Sequence, residues 1–423
     1  MNNLKILFLG VDDNRRPGHV GYDIQHLPAG VEGRMVVLRS RYGDRSVCLA
    51  PSRFMSGYQK LIQRNVATWL SRLKHGIFPK IDTIAGYAYK GNELVRYSAE
   101  DVIKRCPKDF HPDVIAVYWA SGYVTARMLR DLHRLTRAVI VYVFVDEAPM
   151  TGGCHYPWDC RGFVTDCSDC PALNRGKQLS AIHLAEKKKY LKGLPLYIVG
   201  APYDLQLAAQ TELFKDAIPL PCVTKPDVFP VPRLEARHRW GVAEDSFAVL
   251  LGSADLLEER KGIIYAIKAL REFALQCPNL TVIVAGVDDV KIRQELESVP
   301  CLFVGLLSLQ ELHSAFCASD VFLSPTVADS GPMMVNIAAA LGIPTIAFPV
   351  GIATTLVRHM ETGYLARIKD VDDMVSGLKY IASQTSDAWQ TMSARVRQLL
   401  DEESSIGPWY EQLLRRIKTD KLR

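Results

Sequence analysis

The sequence predicts an α/β protein built of two Rossmann-like, doubly wound parallel-sheet domains. Three observations carry that expectation. The chain has 423 residues, enough for at least two domains of about 100–200 residues each. Short uncharged runs rich in β-branched residues alternate with amphipathic stretches, as parallel strands buried on both faces by crossover helices require. A Pro-rich passage, Ile218-Pro219-Leu220-Pro221 followed by Pro226, Pro230 and Pro232, then divides the strand runs into two equal sets.

In chain order the first set is Leu4–Gly10, Met35–Leu38, Val114–Trp119, Val139–Val145 and Leu196–Gly200. The second is Phe247–Gly252, Leu280–Gly286, Cys301–Gly305, Val321–Pro325 and Pro344–Pro349. Right-handed crossovers would wind each set into its own layered sheet. The expected organisation is a first domain over 1–225 with a Cys-rich loop at 151–172, and a linker at 226–240. A second domain follows over 241–400, and a terminal helix over 401–423 packs back on the first. Ser330–Val357 contains no charged residue and is long enough to span a bilayer. Pro332, Pro344 and Pro349, with Gly331, Gly342 and Gly351, divide it into pieces of buried-strand and buried-helix length. It therefore reads as the core of a soluble domain.

Composition excludes disordered, collagen-like and coiled-coil classes, with 48% hydrophobic and 23% charged residues. The net charge of +5 hides an asymmetry. Residues 1–240 hold 34 Lys and Arg against 23 Asp and Glu, a balance of +11; residues 241–423 hold 17 against 23, a balance of −6. The halves should therefore meet different partners. Nucleic acid is not expected, because the basic residues are not interleaved with an aromatic platform. The opening Met1 to Asp13 has neither the apolar length nor the cleavage site of a signal peptide, so a cytoplasmic location is expected.

The first candidate site is Gly252-Ser253-Ala254-Asp255-Leu256-Leu257-Glu258-Glu259-Arg260-Lys261-Gly262. A strand ends at glycine, a loop carries adjacent cations, and a second glycine opens the helix-like Ile263–Phe273. Helix N–H groups beside Arg260 and Lys261 would suit a diphosphate, although a solvated charged turn would look the same. The residues beyond this loop are more specific. Gly286, Val304-Gly305, Glu311-Leu312 and Ala318–Pro325 come at ordered intervals, then Asp329-Ser330-Gly331-Pro332, Ala338–Pro344 and His359–Leu365.

Over roughly residues 245–385 this series resembles the donor-binding domain of retaining GT-B glycosyltransferases, the group 1 family that uses nucleotide sugars. In the first half, Pro149-Met150-Thr151-Gly152-Gly153-Cys154-His155-Tyr156 resembles the Thr-Gly-Gly-Cys-His-Tyr stretch of a subgroup that builds bacterial surface polysaccharides. Asp113–Trp119 is similar to that subgroup's strand ending in a His-Trp pair, with Tyr118 in place of the histidine. Gly18-His19-Val20-Gly21 resembles the glycine loop that approaches the donor from the acceptor domain.

The resemblance implies a GT-B architecture, two such domains facing across a cleft, and a retaining hexosyltransferase. It would move a sugar from a nucleotide-diphosphate sugar to a glycan or lipid-linked acceptor, with no cofactor needed for catalysis. It implies catalytic roles for Arg260, Lys261, Asp329 and Asp146. Arg260 and Lys261 would hold the diphosphate and stabilise charge on the leaving group, often a dominant catalytic effect. Donor contacts would come from Gly18, Gly21, Ser253, Val304 and Gly305, together with Asp329, Ser330, Gly331 and Pro332. Two positions depart from the family pattern. Its second carboxylate, seven residues after Asp329, is Ile337 here, and its histidine before Asp146 is Val145. These losses motivate the alternative of a non-catalytic sugar-nucleotide or glycan-binding partner of an active transferase.

Cys154, Cys160, Cys167 and Cys170 are spaced C-x5-C-x6-C-x2-C, and the other six cysteines are scattered. Such a cluster in a reducing compartment favours a structural tetrahedral zinc. Two disulfides, or free thiols packed as small apolar groups, are the alternatives. Finally, Tyr58–His75 places Tyr58, Leu61, Ile62, Val66, Trp69, Leu70 and Leu73 on one helical stripe, with Lys60, Arg64 and Arg72 opposite or beside it. It would either dock on its own core or lie at an anionic membrane surface. The run Lys187-Lys188-Lys189 with Lys192 could extend the same basic patch, placing the protein peripherally at the inner face of the membrane.

Overall fold

The computed structural model describes residues 4–15, 19–40, 42, 47–49, 82–91, 93, 97–119 and 121–420. The Tyr58–His75 stretch and Gly18 lie outside the described residues. The chain divides into two compact units, Met1–Cys222 with Gly407–Arg423, and Val223–Ile406.

The strands of the first unit are β1 (Leu4–Asp12), β2 (Val31–Arg39), β3 (Val47–Leu49), β4 (Asp82–Thr83), β5 (Val114–Val117), β6 (Val139–Val143), β7 (Leu173–Arg175), β8 (Leu196–Gly200) and β9 (Ile218–Pro221). Seven form a parallel sheet in the order β3-β2-β1-β5-β6-β8-β9, and β4 pairs antiparallel with β7. Because side chains alternate along a strand, each central strand feeds two cores. Leu7 and Leu9, Ile115 and Val117, and Ile140 and Tyr142 face one cluster, where Leu129, Leu132, Leu184 and Leu205 cover them. Ile6 and Phe8, Val114 and Ala116, and Val141 and Val143 face the other. There Trp409, Tyr410 and Leu413 of the C-terminal helix Trp409–Asp420 complete the layer. Each buried Leu, Ile or Phe contributes about 1.5–3 kcal/mol, so that returning helix is integral to the first unit.

The Pro-rich passage opens with a strand, β9, at the edge of this sheet. Prolines 219 and 221 lack an N–H, and an edge is where a strand tolerates that loss. Residues 233–240, which the sequence places in a linker, form a helix instead. Its Arg237 is buried and pairs with Asp320 at 2.8 Å, tying the helix to the second unit's core.

The second unit holds β10 (Phe247–Gly252), β11 (Leu280–Ala285), β12 (Cys301–Gly305), β13 (Val321–Ser324), β14 (Thr345–Ala347) and β15 (Gly363–Leu365), all parallel in the order β12-β11-β10-β13-β14-β15. The uncharged stretch becomes the helix Met333–Leu341, strand β14 and the short helix Ala353–Leu356, mostly buried. Among the described residues no helix is long and apolar enough to cross a membrane. Strand order reverses between β10 and β13 here, and between β1 and β5 in the first unit. The crevice beyond the carboxyl ends of strands at such a reversal is where open α/β sheets bind ligands.

Candidate functional site

In the second unit, both loops flanking the reversal carry the expected residues. Strand β10 ends at Gly252, and Ser253 N–H donates to Ala285 O at 3.0 Å. The loop then closes into a 3-10 turn, Glu259–Lys261, that ends at Gly262 with φ +64°. A Cβ at Gly262 would stand 2.0 Å from Pro325 O, so the turn can press against the end of β13 only with glycine there. Val327 N–H donates to Arg260 O at 2.9 Å, which binds the two loops together.

This brings Arg260, Lys261 and Asp329 to one point. Lys261 Nζ donates to Asp329 Oδ2 at 2.6 Å, and Arg260 Nη1 donates to the same oxygen. Arg260 is held from its other side by Glu258, with Nε–Oε1 at 2.5 Å and Nη2–Oε2 at 3.0 Å. Asp329 Oδ1 accepts from Gly331 N–H at 3.1 Å. Burial pushes the Asp329 carboxyl upward, but the Lys261 and Arg260 charges outweigh it and hold it below its ordinary value. Asp329 therefore clamps the two cations in this structure, whereas its place in the sequence pattern assigns it to sugar hydroxyls. Ser330 is buried, and its hydroxyl has no hydrogen-bond partner among the described residues. Gly331 and Pro332 lead into the nine-residue helix Met333–Leu341, whose positive end faces the same loop. Ile337 is buried within that helix, so its side chain serves packing. Val304 and Gly305 end β12, where Gly305 takes φ +71° and its carbonyl accepts from Gly286 N–H at 2.9 Å.

In the first unit, Gly21 lies in the short helix Val20–Gln25, where a Cβ would come within 2.3 Å of Asp13 O. The loop after β1 thus packs onto bare backbone. Tyr118 donates its hydroxyl to half-buried Asp23, which also accepts from Trp409 Nε1 at 2.9 Å. That residue belongs to the packing of the C-terminal helix.

Asp146 follows β6 and is nearly fully buried, and its partner is one that sequence reasoning missed. His155 Nδ1 lies 2.6 Å from Asp146 Oδ2, and Ser121 Oγ lies 2.8 Å from His155 Nε2. Asp146 Oδ1 accepts from Ala148 N–H at 2.9 Å. So the histidine lacking at Val145 is matched by one nine residues after Asp146, folded back by the Thr151–Gly153 turn. Gly153 has φ +135° there. Buried Lys187 pins the same turn, donating to Ala148 O at 2.6 Å and Thr151 O at 2.8 Å. Burial pushes its ammonium below the ordinary value, against the pull of Glu93. Lys188 pairs with Glu212 at 2.9 Å. The lysine run is therefore partly structural, with Lys187 taken up by the turn and Lys188 by an ion pair.

The four clustered cysteines line one pocket with Tyr87, Pro157, Phe163 and Asp169. The four are free thiols, which removes the disulfide alternative for this structure. Among the described residues no group of three or more His, Cys, Asp or Glu side chains is arranged to hold a metal ion. The arrangement of the four thiols among the described residues thus gives the expected tetrahedral zinc site no support. Cys154 and Cys170 instead pack with Ala172, Leu173 and Leu179 in a small apolar cluster. Burial pushes the Cys154 thiol up and the Cys167 thiol up to about 11.

Residues 248–384 match the family profile described as glycosyl transferases group 1. Sulfoquinovosyl transferase SQD2 of Arabidopsis thaliana is 26% identical over 127 residues, which is 28% of this chain and 24% of that protein. The match thus spans only about a quarter of that relative's length. Solved structures match nearly end to end, among them these three. Sucrose-phosphate synthase from Thermosynechococcus elongatus has a TM-score of 0.61 at 16% identity, covering 99% of this chain and 100% of its own. Anabaena HepE in complex with UDP-glucose has a TM-score of 0.60 at 14% identity, covering 98% and 100%. The α,α-trehalose 6-phosphate synthase of Burkholderia multivorans has a TM-score of 0.61 at 14% identity, covering 100% and 98%. Residues 248–384 of the second unit are thus similar to the group 1 glycosyl transferase profile, and the chain's two parallel-sheet Rossmann-like domains match the fold of these GT-B structures.

Proposed function

We propose that this protein is a glycosyltransferase that moves a sugar from a nucleotide-diphosphate sugar to a glycan or lipid-linked acceptor, with retention of configuration. The observation that carries this reading is the clamp of Arg260 and Lys261 on Asp329 at the strand-order reversal of the second unit. A diphosphate entering there would compete with Asp329 for both cations, freeing the carboxylate to meet sugar hydroxyls. As the glycosidic bond breaks, the leaving nucleotide gains negative charge, so cations fixed beside it bind the transition state better than the ground state. The buried Ser330 hydroxyl, without a partner among the described residues, and the helix N-terminus after Pro332 would add donors to the same anion.

HepE is described in complex with UDP-glucose, which makes UDP-sugars the first donors to assay. Retention, and a place in building bacterial surface polysaccharide, rest on the sequence resemblance. The net positive charge of residues 1–240 suits an anionic membrane surface near such an acceptor. A second reading, a non-catalytic nucleotide-sugar binder, is favoured by Ile337, buried where the family pattern has its second carboxylate.

Turnover of UDP-sugars with membrane-extracted acceptors, wild type against Lys261→Ala, separates the two. The transferase reading expects kcat to fall by about a hundredfold or more in a folded variant, the scale of losing an oxyanion donor. A wild type that binds donor but never turns it over would leave the binding reading in its place.

A further inference from the structure

We infer that Ser121, His155 and Asp146 form a second reactive centre, in which the Ser121 hydroxyl attacks neutral carboxylic esters. All three belong to the first unit, and the inference stands apart from the transferase reading.

The three side chains form one hydrogen-bonded chain. Ser121 Oγ lies 2.8 Å from His155 Nε2, and His155 Nδ1 lies 2.6 Å from Asp146 Oδ2. The other carboxylate oxygen accepts from Ala148 N–H at 2.9 Å, which fixes the plane of the aspartate. A hydroxyl bonded to a base that a buried carboxylate orients is the arrangement that activates serine on unrelated folds. Because a carboxylate only accepts, the Nδ1 hydrogen faces Asp146 in either charge state of the ring. The neutral ring is the one that takes the serine proton at Nε2.

Exposure along the chain changes in the direction such a centre needs. The Asp146 and His155 side chains are 4% and 2% exposed, whereas Ser121 is only half-buried. A network that merely braced the fold would gain most by burying its hydroxyl too. Here the next residue is Gly122, where a Cβ would meet nothing within 4 Å. That leaves room for an acyl group beside the hydroxyl. The serine is anchored on both sides: Trp119 O accepts from Val11 N–H at 3.0 Å, and Tyr123 is fully buried. His155 is anchored as well, its N–H donating to Tyr87 O and its carbonyl accepting from Glu147 N–H, each at 3.1 Å. Groups held in this way need little reorganisation to react.

The surroundings select the substrate class. The Trp119 ring lies 5.2 Å from His155 and is 40% exposed, an apolar wall. The buried Asp146 charge disfavours an anionic substrate. Lys90 Nζ, 5.4 Å from the indole centre, supplies a cation of the sign that a tetrahedral oxyanion draws on. A neutral ester with a compact acyl group fits these features. In the acylation step Ser121 Oγ bonds to the carbonyl carbon and its proton passes to His155 Nε2. The ester C–O bond then breaks, and the leaving alcohol takes that proton. Water repeats the sequence on the acyl-serine, releasing a carboxylic acid and restoring the Ser121 hydroxyl.

Labelling of the full chain with an organofluorophosphonate, and its hydrolysis of p-nitrophenyl acetate, test the assignment. Wild type should take up one phosphonyl group per chain, located at Ser121 by peptide mass, and should turn the ester over repeatedly. Ser121→Ala, at a half-buried position that leaves the Asp146–His155 pair in place, should lose the label. Its hydrolysis rate should fall at least about a hundredfold, the lower range for a positioned acid–base pair. Asp146 is a positioning residue, so Asp146→Asn should lower kcat by up to about ten-thousandfold with KM little changed. Near-UV circular dichroism checks the fold of each variant, and Ser121→Ala decides alone if Asp146→Asn does not fold. Wild type with no label at Ser121, or hydrolysis that Ser121→Ala leaves intact, overturns the inference. Acetylation confined to lysines, with Ser121 unmodified, overturns it equally.

Discussion

The two candidate sites use opposite electrostatics on similar scaffolds. In the second unit two full cations share one carboxylate oxygen, and each side chain is more than four-fifths withdrawn from solvent. In the first unit a buried carboxylate holds a histidine ring whose far nitrogen meets a serine. The first arrangement gathers positive charge around one carboxylate, while the second ties the loop carrying His155 back to the end of β6. Similar strand-order reversals thus carry loops of different chemistry, and it is the loops that distinguish the two crevices.

The contrast is most exposed at the backbone that builds the charged site. Gly262→Ala should collapse it, because the added methyl carbon would stand 2.0 Å from Pro325 O at a positive φ. Strain of this kind costs about 1–3 kcal/mol before the overlap is relieved. The variant should unfold at lower urea concentration and lose UDP binding together. Gly30→Ala is the control in the other unit: it also has positive φ but open space around it, and it should shift the midpoint much less.

A second test uses pH. Asp329 is held below its ordinary value near 3.8, so the stability it lends is present above that value. It is lost as pH falls through the lower, folded one. Wild type should therefore exceed Asp329→Asn in Tm at neutral pH, and the gap should close as acid protonates the carboxylate. A gap that stays constant down to about pH 3, below the ordinary carboxylate range, would mean that Asp329 contributes packing alone.

The smallest effect concerns the thiols. Cys167 is buried and pushed up to about 11, so iodoacetamide should react with it slowly near neutral pH and faster as pH approaches that value. Exposed model thiols serve as the reference. One zinc per chain in freshly purified protein, removable only together with the fold, would contradict a set of free buried thiols.

Legibility in the sequence followed locality. Both sheets could be read because parallel strands buried on two faces are continuous apolar runs, as in Phe247–Gly252. The charged site was legible because Arg260, Lys261 and Gly262 are consecutive and open a helix-like stretch. Pairing at a distance could not be read. Asp146 and His155 are nine residues apart, and Ser121 stands 34 residues from His155, joined by a turn that no periodicity marks. The one signal was Thr151-Gly152-Gly153 directly before Cys154-His155, since paired glycines after a strand can fold a chain back on its own end. Strand β9 was hidden for another reason: its prolines suggest a linker until an edge position explains them.

Whether the cation pair of the second unit receives a nucleotide diphosphate is decided by calorimetric titration of UDP into wild type and Lys261→Ala, under identical salt and pH. Wild type should bind, with an affinity at least about tenfold lower in the variant, since a charge-assisted contact to the diphosphate contributes about 1.5–3 kcal/mol. Equal affinity in the two proteins, with both folded, would place the nucleotide away from Arg260 and Lys261 and contradict the assignment of that site.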